Sequence, residues 1–325
     1  MIVHIKAAAL AGLGFLAASD AGAEPSRDEL ALIVEARELL HRYGDTLWPG
    51  LSAAPDTLLL IQGEAEYLLC HEGPAEGFAA IGNEPQTGCD LRRRDRVLPP
   101  QLLASFPLVD GEPTVVVGTP EATGFDPDSW MLTLLHEHVH QWHFAEPGLN
   151  EATTALDLDG GDQTGQWMLD FPFPYEEEAV ASAAGEMAAR ALAIIGSDGD
   201  VAPDAFEGFL AARATFLAAA GERNARYYQF QVWREGVARW TEMALARAAA
   251  TDDARYAQLA AGQLERMRRG LTDFDLVRDR RVSFYALGSA EAEILERAWP
   301  SWRAAYLDRP YDMTALFDRA AAGQR

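Results

Sequence analysis

The chain has 325 residues, of which 49% are hydrophobic and 24% are charged, and its formal net charge at pH 7 is −23. This composition is that of an ordinary globular protein and excludes disordered, collagen-like and low-complexity chains. A surface this acidic repels phosphate backbones and anionic lipid headgroups, so we expect no nucleic-acid partner. The short basic run from Arg92 to Arg96 includes an acid of its own and is predicted to be a solvated loop.

The start of the chain has the organisation of a secretory signal peptide. A weakly basic start, Met1 to Lys6, precedes an apolar stretch from Ala7 to Ala18, and Ala21-Gly22-Ala23 supplies the small residues of a cleavage site. We therefore predict a signal peptide over residues 1–23 and a periplasmic or secreted mature protein; a buried N-terminal helix of a cytoplasmic protein is the alternative. No run reaches the ~18 apolar residues that a bilayer span needs, so we expect no membrane span.

Cysteine usage agrees with export. Cys70 and Cys89 are the only cysteines of the chain. In an oxidising compartment two cysteines most simply form one disulfide, so we predict a Cys70–Cys89 bond, with two free buried thiols as the alternative. Their spacing carries no metal-binding signature.

The pattern of elements changes near residue 125. A helix is predicted over 28–43, and short β-rich runs bounded by Gly, Pro and Asn follow it. These runs predict strands at 57–61, 65–69, 77–81 and 114–117. Beyond Asp126-Pro127, a helix-start signal, the pattern is helical. It predicts helices at 128–144, 175–195, 204–220, 225–249, 253–269 and 289–306. This order predicts an α+β protein with a β-containing part over 24–126 and a helical part over 127–325.

The predicted helix at 128–144 carries an HExxH motif, His136-Glu137-x-x-His140. Residues four apart lie on one face of a helix, so the two histidines can bind one Zn²⁺ at about 2.0–2.1 Å. Glu137 is rotated by about 100° from His136, which keeps it off the ion and lets it serve water there as general base. His138 points about 200° away from His136 and is not expected to bind the ion. His143 is expected to pack, with a contact to substrate or to a metal-site carboxylate as the alternative.

A catalytic zinc site usually has three protein ligands. The HExxHxxGxxH pattern is excluded because His143 stands where that pattern requires glycine. The predicted helix at 225–249 offers Glu235, followed directly by Gly236, and a glycine inside a helix costs about 0.5–1 kcal/mol relative to alanine. Close approach of this helix to the HExxH helix would explain the glycine, so we predict Glu235 as the third ligand. Glu178 as ligand, or an exposed Glu235 without this role, are the alternatives.

An HExxH motif with a downstream Trp-x-Glu-Gly-x-Ala-x-Trp-x-Glu segment at 233–242 resembles the gluzincin group of zinc metallopeptidases, the thermolysin-like superfamily. The resemblance implies a zincin-like fold, in which a small mixed sheet precedes the HExxH helix and a mostly helical half. It implies zinc as cofactor, with His136, His140 and Glu235 as ligands and Glu137 as general base. It also implies that peptides or proteins are the substrates.

The resemblance further implies that Thr114 to Val117 is an edge strand with which an extended peptide could pair. It implies an oxyanion donor from the helical part, for which Tyr285 and Tyr228 are candidates, each with a packing role as the alternative. Arg239 departs from the pattern, because several gluzincins have an acid four residues after the third ligand; Glu242 is a possible replacement. A metal hydrolase of a non-peptide bond and a non-catalytic periplasmic binding protein remain alternatives, and the presence of a general base argues against the second.

Overall fold

The computed structural model describes residues 24–162, 164–197 and 199–323, so the predicted signal peptide lies outside the described residues. The predicted α+β class is confirmed, with a mixed sheet and a mostly helical remainder. Contacts divide the chain into two compact units. The first comprises the described residues up to Glu38 together with Pro55–Gln141, and the second comprises Leu39–Ala54 together with the residues from Trp142 onward.

The first unit is built on a six-stranded sheet with the strand order β3-β4-β2-β1-β6-β5. The strands are β1 (Leu58–Gln62), β2 (Ala65–Leu69), β3 (Ala79–Glu84), β4 (Cys89–Asp95), β5 (Leu103–Val109) and β6 (Glu112–Gly118). Strands β1 and β6 pair in parallel, and the other neighbours pair antiparallel. The central strands β1 and β6 read as continuous apolar runs because they are buried on both faces.

The runs predicted at 57–61, 65–69 and 114–117 are confirmed as β1, β2 and β6, and the third predicted strand begins two residues later, as β3. Strands β4 and β5 were not predicted. The expectation that Thr114 to Val117 forms an edge strand is wrong, because β5 pairs with β6 and takes the edge position itself. An interior proline, Pro107, hid β5 from the strand pattern.

The basic run at 92–96 is not the predicted loop, because most of it belongs to β4. The arginines are compatible with a strand because acids on the neighbouring strand β2, and in the turn just before it, pair with them. Arg94 Nε lies 2.6 Å from Glu66 Oε2 on β2, and Arg96 Nη2 lies 3.0 Å from Glu64 Oε1. Glu66 is fully buried, so its carboxylate needs the partner that Arg94 provides.

The predicted disulfide is present between Cys70 and Cys89. Cys70 directly follows β2 and Cys89 begins β4, so the bond joins two neighbouring antiparallel strands. Arg37 lies at the same place, donating from Nη1 to the Thr87 carbonyl at 3.0 Å and lying 3.4 Å from Cys89 Sγ. Disulfides of this kind persist in oxidising compartments.

The helices begin with α1 (Arg27–Leu47), α2 (Pro120–Thr123) and α3 (Pro127–Ala145). The second unit adds α4 (Leu149–Ala155), α5 (Trp167–Asp170), α6 (Glu178–Gly196), α7 (Pro203–Ala220), α8 (Glu222–Gln231), α9 (Val237–Ala249), α10 (Ala254–Thr272), α11 (Leu276–Asp279), α12 (Ser283–Ala298) and α13 (Met313–Gly323). The predicted helix at 289–306 is wrong in its bounds. Pro300 cannot continue a helix, so α12 ends at Ala298 and a 3₁₀ turn, Pro300–Ala305, follows.

Among the described helices, α6 is the one whose length and composition would also suit a membrane span. The same properties are those of a core helix in a globular protein. Part of α6 is buried, including Val180, Ala184, Met187 and Ile195. The expectation of no membrane span therefore stays a prediction.

The core of the second unit is aromatic. Trp48 stacks with Trp142 at a centroid distance of 6.1 Å and meets Trp240 and Trp302 edge-on at 6.0 and 5.3 Å. Tyr306, just beyond the 3₁₀ turn, lies 4.7 Å from Trp48. This cluster places the last turn of α3, which contains Trp142, inside the second unit.

Candidate metal centre

The start of α3 is fixed by a cap and by the sheet. Asp126 accepts hydrogen bonds from the Ser129 backbone N–H at 2.9 Å and from its hydroxyl at 2.7 Å, which confirms the predicted helix start. These bonds hold the pKa of Asp126 below its ordinary value. One turn further, Trp130 Nε1 donates to the Gly118 carbonyl at the end of β6 at 2.7 Å.

Gln141 fixes the later part of the same helix. Its Nε2 donates to the carbonyls of Thr57 and Pro113, both at 2.8 Å. Because Nε2 takes both carbonyls, Oε1 must be the atom that meets His138 Nδ1, also at 2.8 Å, so this ring nitrogen carries the proton. His138 is buried in this role and does not belong to the ligand group described below, as predicted.

His136 and His140 turn their rings toward one point. Their Nε2 atoms lie 3.0 Å apart, and the two buried rings stand at 85° to one another. Two bonds of about 2.0–2.1 Å at a tetrahedral angle would separate two nitrogens on one zinc ion by about 3.3 Å. The pair is therefore spaced as a chelating pair, as the i, i+4 spacing predicts.

Glu137 lies beside the edge strand. The Ser105 hydroxyl, in the middle of β5, donates to the Glu137 backbone carbonyl at 2.7 Å. The Glu137 side chain is buried, with a relative exposure of 6% for the residue. Ser105 was not singled out by the sequence, because nothing in the sequence indicated that β5 exists.

Glu235 lies in a π-helical turn, Val232–Gly236, that connects α8 to α9. The predicted continuous helix at 225–249 therefore holds an irregular turn at the predicted ligand. A π turn of this kind is rare and is frequently found at functional sites. Hydrophobic periodicity does not report one extra residue in a turn, so the π turn could not be predicted from it.

Gly236 is required by a different neighbour from the one predicted. A Cβ at this position would lie 2.3 Å from Gly288 Cα on α12, and a Cβ at Gly288 would lie 2.7 Å from Gly236 Cα. The two glycines therefore let the π turn and α12 cross in backbone contact. The expectation that Gly236 serves an approach to the HExxH helix is wrong.

The end of α3 is tied to the π turn within the second unit. The Tyr306 hydroxyl donates to the Trp233 carbonyl at 2.7 Å and lies 3.1 Å from His143 Nε2. The rings of His143 and Trp233 lie 4.8 Å apart. His143 is thus a buried packing histidine, as predicted. Tyr306 was missed as a support of the site, because it lies far from the motif in sequence.

One group of ligand-type side chains among the described residues could hold a metal ion, and it consists of His136, His140 and Glu235. Their ligand atoms all lie within 4.8 Å of one another. Two imidazoles and a carboxylate are the donor set of catalytic zinc sites that keep one open position. Glu178, the competing candidate, is an exposed first residue of α6 and does not belong to the group.

Comparison of the chain with protein-family models, with curated proteins and with solved structures gives no match. The resemblance to gluzincins therefore stays a prediction that rests on the two motifs. The α+β class and the His/His/Glu group are properties of the chain itself.

Tyr285 lies at the Glu235 side of the group. Burial raises the pKa of Tyr285, and the Glu235 carboxylate raises it further through its charge and a hydrogen bond, so the phenol stays protonated and able to donate. Its oxygen also lies 3.2 Å from Arg281 Nη1. Tyr228, the other candidate donor, is fully buried and donates to Glu291 at 2.9 Å, so it is a core residue.

Arg281 and Gln231 were missed by the sequence analysis. Arg281 Nη1 donates to Gln231 Oε1 at 3.3 Å. The i, i+4 spacing of Arg281 and Tyr285 near a helix start is a signal that could have indicated the pair. Glu242 is fully buried and lies 3.0 Å from Arg239 Nη1, so the position that departs from the gluzincin pattern is neutralised by a neighbouring acid.

Proposed function

We propose that this chain is an exported zinc-dependent metallopeptidase of the gluzincin type. The observation that carries the proposal is the His136, His140 and Glu235 group with Glu137 between its two histidines in sequence. A purely structural metal site needs no adjacent carboxylate, whereas hydrolysis needs a base. The Cys70–Cys89 disulfide supports the export part of the proposal.

In this proposal His136, His140 and Glu235 hold the ion through two nitrogens and one carboxylate oxygen. Zinc in such a site supplies Lewis acidity, which polarises a carbonyl and lowers the pKa of water toward about 7. Glu137 accepts a proton from the attacking water at its carboxylate and delivers it to the amine nitrogen of the leaving fragment. The Tyr285 hydroxyl, whose one proton faces the Glu235 carboxylate in the structure, would turn to donate to the carbonyl oxygen as negative charge develops there.

Strand β5 supports a peptide as the substrate. It lies at one edge of the sheet, and an extended peptide can add to such an edge through backbone hydrogen bonds. Because Ser105 on β5 contacts the Glu137 carbonyl, a peptide paired there would run close to the proposed base. Pocket-bound small substrates would not need an edge strand at this place.

The test is metal analysis of the purified chain followed by a broad peptide-library digest with and without a chelator. We expect about one zinc per chain and cleavage that stops when the metal is removed. Glu137→Gln should retain the zinc and lower hydrolysis by at least about 10²-fold, the scale of general-base catalysis.

Glu178→Gln is the matched control, because it makes the same change at an exposed carboxylate. It should leave both zinc and cleavage unchanged. A zinc-loaded chain that cleaves no peptide would contradict the peptidase proposal and favour hydrolysis of another bond. Unchanged turnover of Glu137→Gln would remove Glu137 from the mechanism.

A further inference from the structure

Arg281 is a buried cation that forms no direct ion pair with a described residue, although the charge of the nearby Glu235 acts on it. Its relative exposure is 8%, and its guanidinium forms no ion pair with any carboxylate in the part of the chain that the structure describes. The neighbouring Arg280 is paired with Glu176 at 3.1 Å, and the buried Arg213 is paired with Glu291 at 2.9 Å. A buried charge is costly unless it is paired, so Arg281 calls for another explanation.

The chain offers many acids that could have neutralised it. The chain has 50 Asp and Glu against 27 Lys and Arg, so a shortage of acidic residues does not explain why Arg281 has no ion pair within the described ranges. Burial alone would lower the pKa of Arg281, but the nearby Tyr285 and Glu235 raise it, so the guanidinium stays charged. If Glu235 also binds a metal ion, its carboxylate would neutralise the Arg281 guanidinium only in part.

One edge of the guanidinium remains available. Nη1 is used by Gln231 Oε1 and the Tyr285 hydroxyl. Nε and Nη2 donate to no described residue, and neither is among the polar atoms shut off from solvent without a partner. These two nitrogens present parallel N–H bonds along one side of the plane, which is the side that binds a carboxylate through two hydrogen bonds.

The arginine is also held in place before any ligand arrives. Gln231 is 2% exposed, and its Nε2 donates to the Met168 carbonyl at 2.6 Å, which turns Oε1 toward Arg281. Tyr227 donates to the same carbonyl at 3.0 Å. A side chain fixed in this way loses little entropy when it binds, so its remaining N–H groups are positioned for recognition.

Tyr285 connects this arginine to the candidate metal centre, because its hydroxyl interacts with both Arg281 and the Glu235 carboxylate. We propose that Arg281 binds a carboxylate of the substrate and so selects peptides that carry one close to the bond to be cleaved. The proposal rests on the proposed peptidase function. The carboxylate belongs either to the C-terminus of the peptide or to an acidic side chain.

The first test uses peptides that the chain cleaves, each made in three forms: the free acid, the C-terminal amide, and the amide with an internal Gln replaced by Glu. We expect one carboxylate to raise kcat/KM at least about 30-fold over its neutral counterpart, as expected for a desolvated charge pair. The form with the higher kcat/KM shows whether Arg281 binds the C-terminal carboxylate or the side-chain carboxylate. Arg281→Gln should remove this preference by raising KM for the carboxylate-bearing peptide, so that the ratio of kcat/KM between the charged and the neutral peptide falls to about one.

Two variants serve as controls. Arg280→Gln removes the same charge one residue away, from an exposed arginine paired with Glu176, and should leave the preference intact. Arg281→Lys keeps the charge without the two-pronged edge and should retain only part of the preference. Thermal unfolding of each variant shows whether it folds. If Arg281→Gln lowers kcat/KM for acidic and neutral peptides by the same factor, the proposal is overturned.

The second test measures binding without turnover. The peptide pool contains N-acetylated tripeptides in three forms: free acids, amides, and amides with an internal Glu. It is dialysed against the Glu137→Gln chain with and without zinc, and the retained peptides are quantified by mass spectrometry. Carboxylate-bearing peptides should be retained at least about 30-fold better than neutral ones, and adding Arg281→Gln should abolish this. Equal retention of charged and neutral peptides overturns the Arg281 proposal. Selective retention by the Glu137→Gln chain, together with no cleavage of the same peptides by the unaltered zinc-loaded chain, overturns the peptidase proposal and leaves carboxylate binding standing.

Discussion

At the scale of single residues, one amide decides how the motif helix meets the sheet. Gln141 gives both of its N–H bonds to backbone carbonyls, so its oxygen is left to face His138. The motif therefore carries two kinds of histidine. His136 and His140 converge on a shared point, while His138 is held in one tautomer by the protein interior.

The sharpest prediction at this scale concerns the third ligand. Glu235→Ala should lower zinc affinity by orders of magnitude while the fold survives, because a site with two histidines alone lacks the third donor of a catalytic zinc site. Glu178→Ala should leave zinc binding unchanged, since Glu178 is exposed and outside the group. Competitive zinc titration of both variants is the measurement. The opposite pattern would transfer the role of ligand to Glu178.

The local part of this site could be predicted because the spacing of His136 and His140 is helix geometry and nothing else. Glu235 was predicted from the glycine that follows it, but that glycine packs against Gly288 and not against the motif helix. Arg281 and Gln231 could not be predicted, because their roles depend on contacts between side chains on separate elements. Such contacts leave no periodic trace in a single sequence.

At the scale of elements, the π turn and α12 cross in direct backbone contact. Gly236 and Gly288 face one another there, and neither has room for a side chain. Hydrophobic periodicity predicted the helices on both sides but not the π turn, and it missed β4 and β5 because arginines and a proline break the strand pattern. Elements were therefore predictable where burial requires an apolar composition. They were not predictable where charged residues or a proline stand within a strand.

Gly236→Ala should destabilise the fold by about 3 kcal/mol, because an added methyl group meets the Gly288 backbone, which cannot move aside as a side chain could. Gly262→Ala is the matched control on α10. No atom lies within 4 Å of a Cβ there, so alanine should stabilise by about 0.5–1 kcal/mol. Urea unfolding measures both. Similar effects from the two substitutions would contradict the crossing.

The cap of α3 should make stability depend on pH. The Ser129 N–H holds the pKa of Asp126 below its ordinary value, so the ionised cap stabilises the fold above about pH 4, and this contribution is lost as the pH falls through the pKa of the folded state. Asp126→Ala should cost about 1 kcal/mol at pH 7 and less near pH 3. Urea unfolding at both pH values is the measurement, and Asp126→Asn, which keeps an acceptor, should cost less than alanine. An equal cost at both pH values would exclude the ionised cap as the cause.

At the scale of the whole molecule, the disulfide constrains one side of the sheet in the first unit. It joins β2 to β4 across a sequence separation of 19 residues. The pairing could be predicted because two cysteines in an exported chain leave one choice. Its position beside Arg37 could not, since nothing in the sequence connects α1 to β4.

Replacing both cysteines by alanine should lower the free energy of unfolding by about 3 kcal/mol, the value expected from the entropy of a closed loop of this length. Denaturant unfolding of the oxidised chain and the variant gives the difference. Alkylation of the unreduced, denatured protein should detect no free thiol. Two alkylated cysteines would contradict the bond and weaken the export prediction.

The Tyr306 hydroxyl has a consequence for the order in which the protein acquires its activity. It contacts His143 across a sequence separation of 163 residues and the Trp233 carbonyl across 73. Synthesis proceeds from the N-terminus, and domains fold as their residues emerge, so the HExxH helix is complete long before this support exists. A growing chain therefore contains His136 and His140 long before it contains Tyr306, the residue that links His143 to Trp233. Under the proposed function, an incomplete protease would be kept from acting on neighbouring chains until Tyr306 has been made.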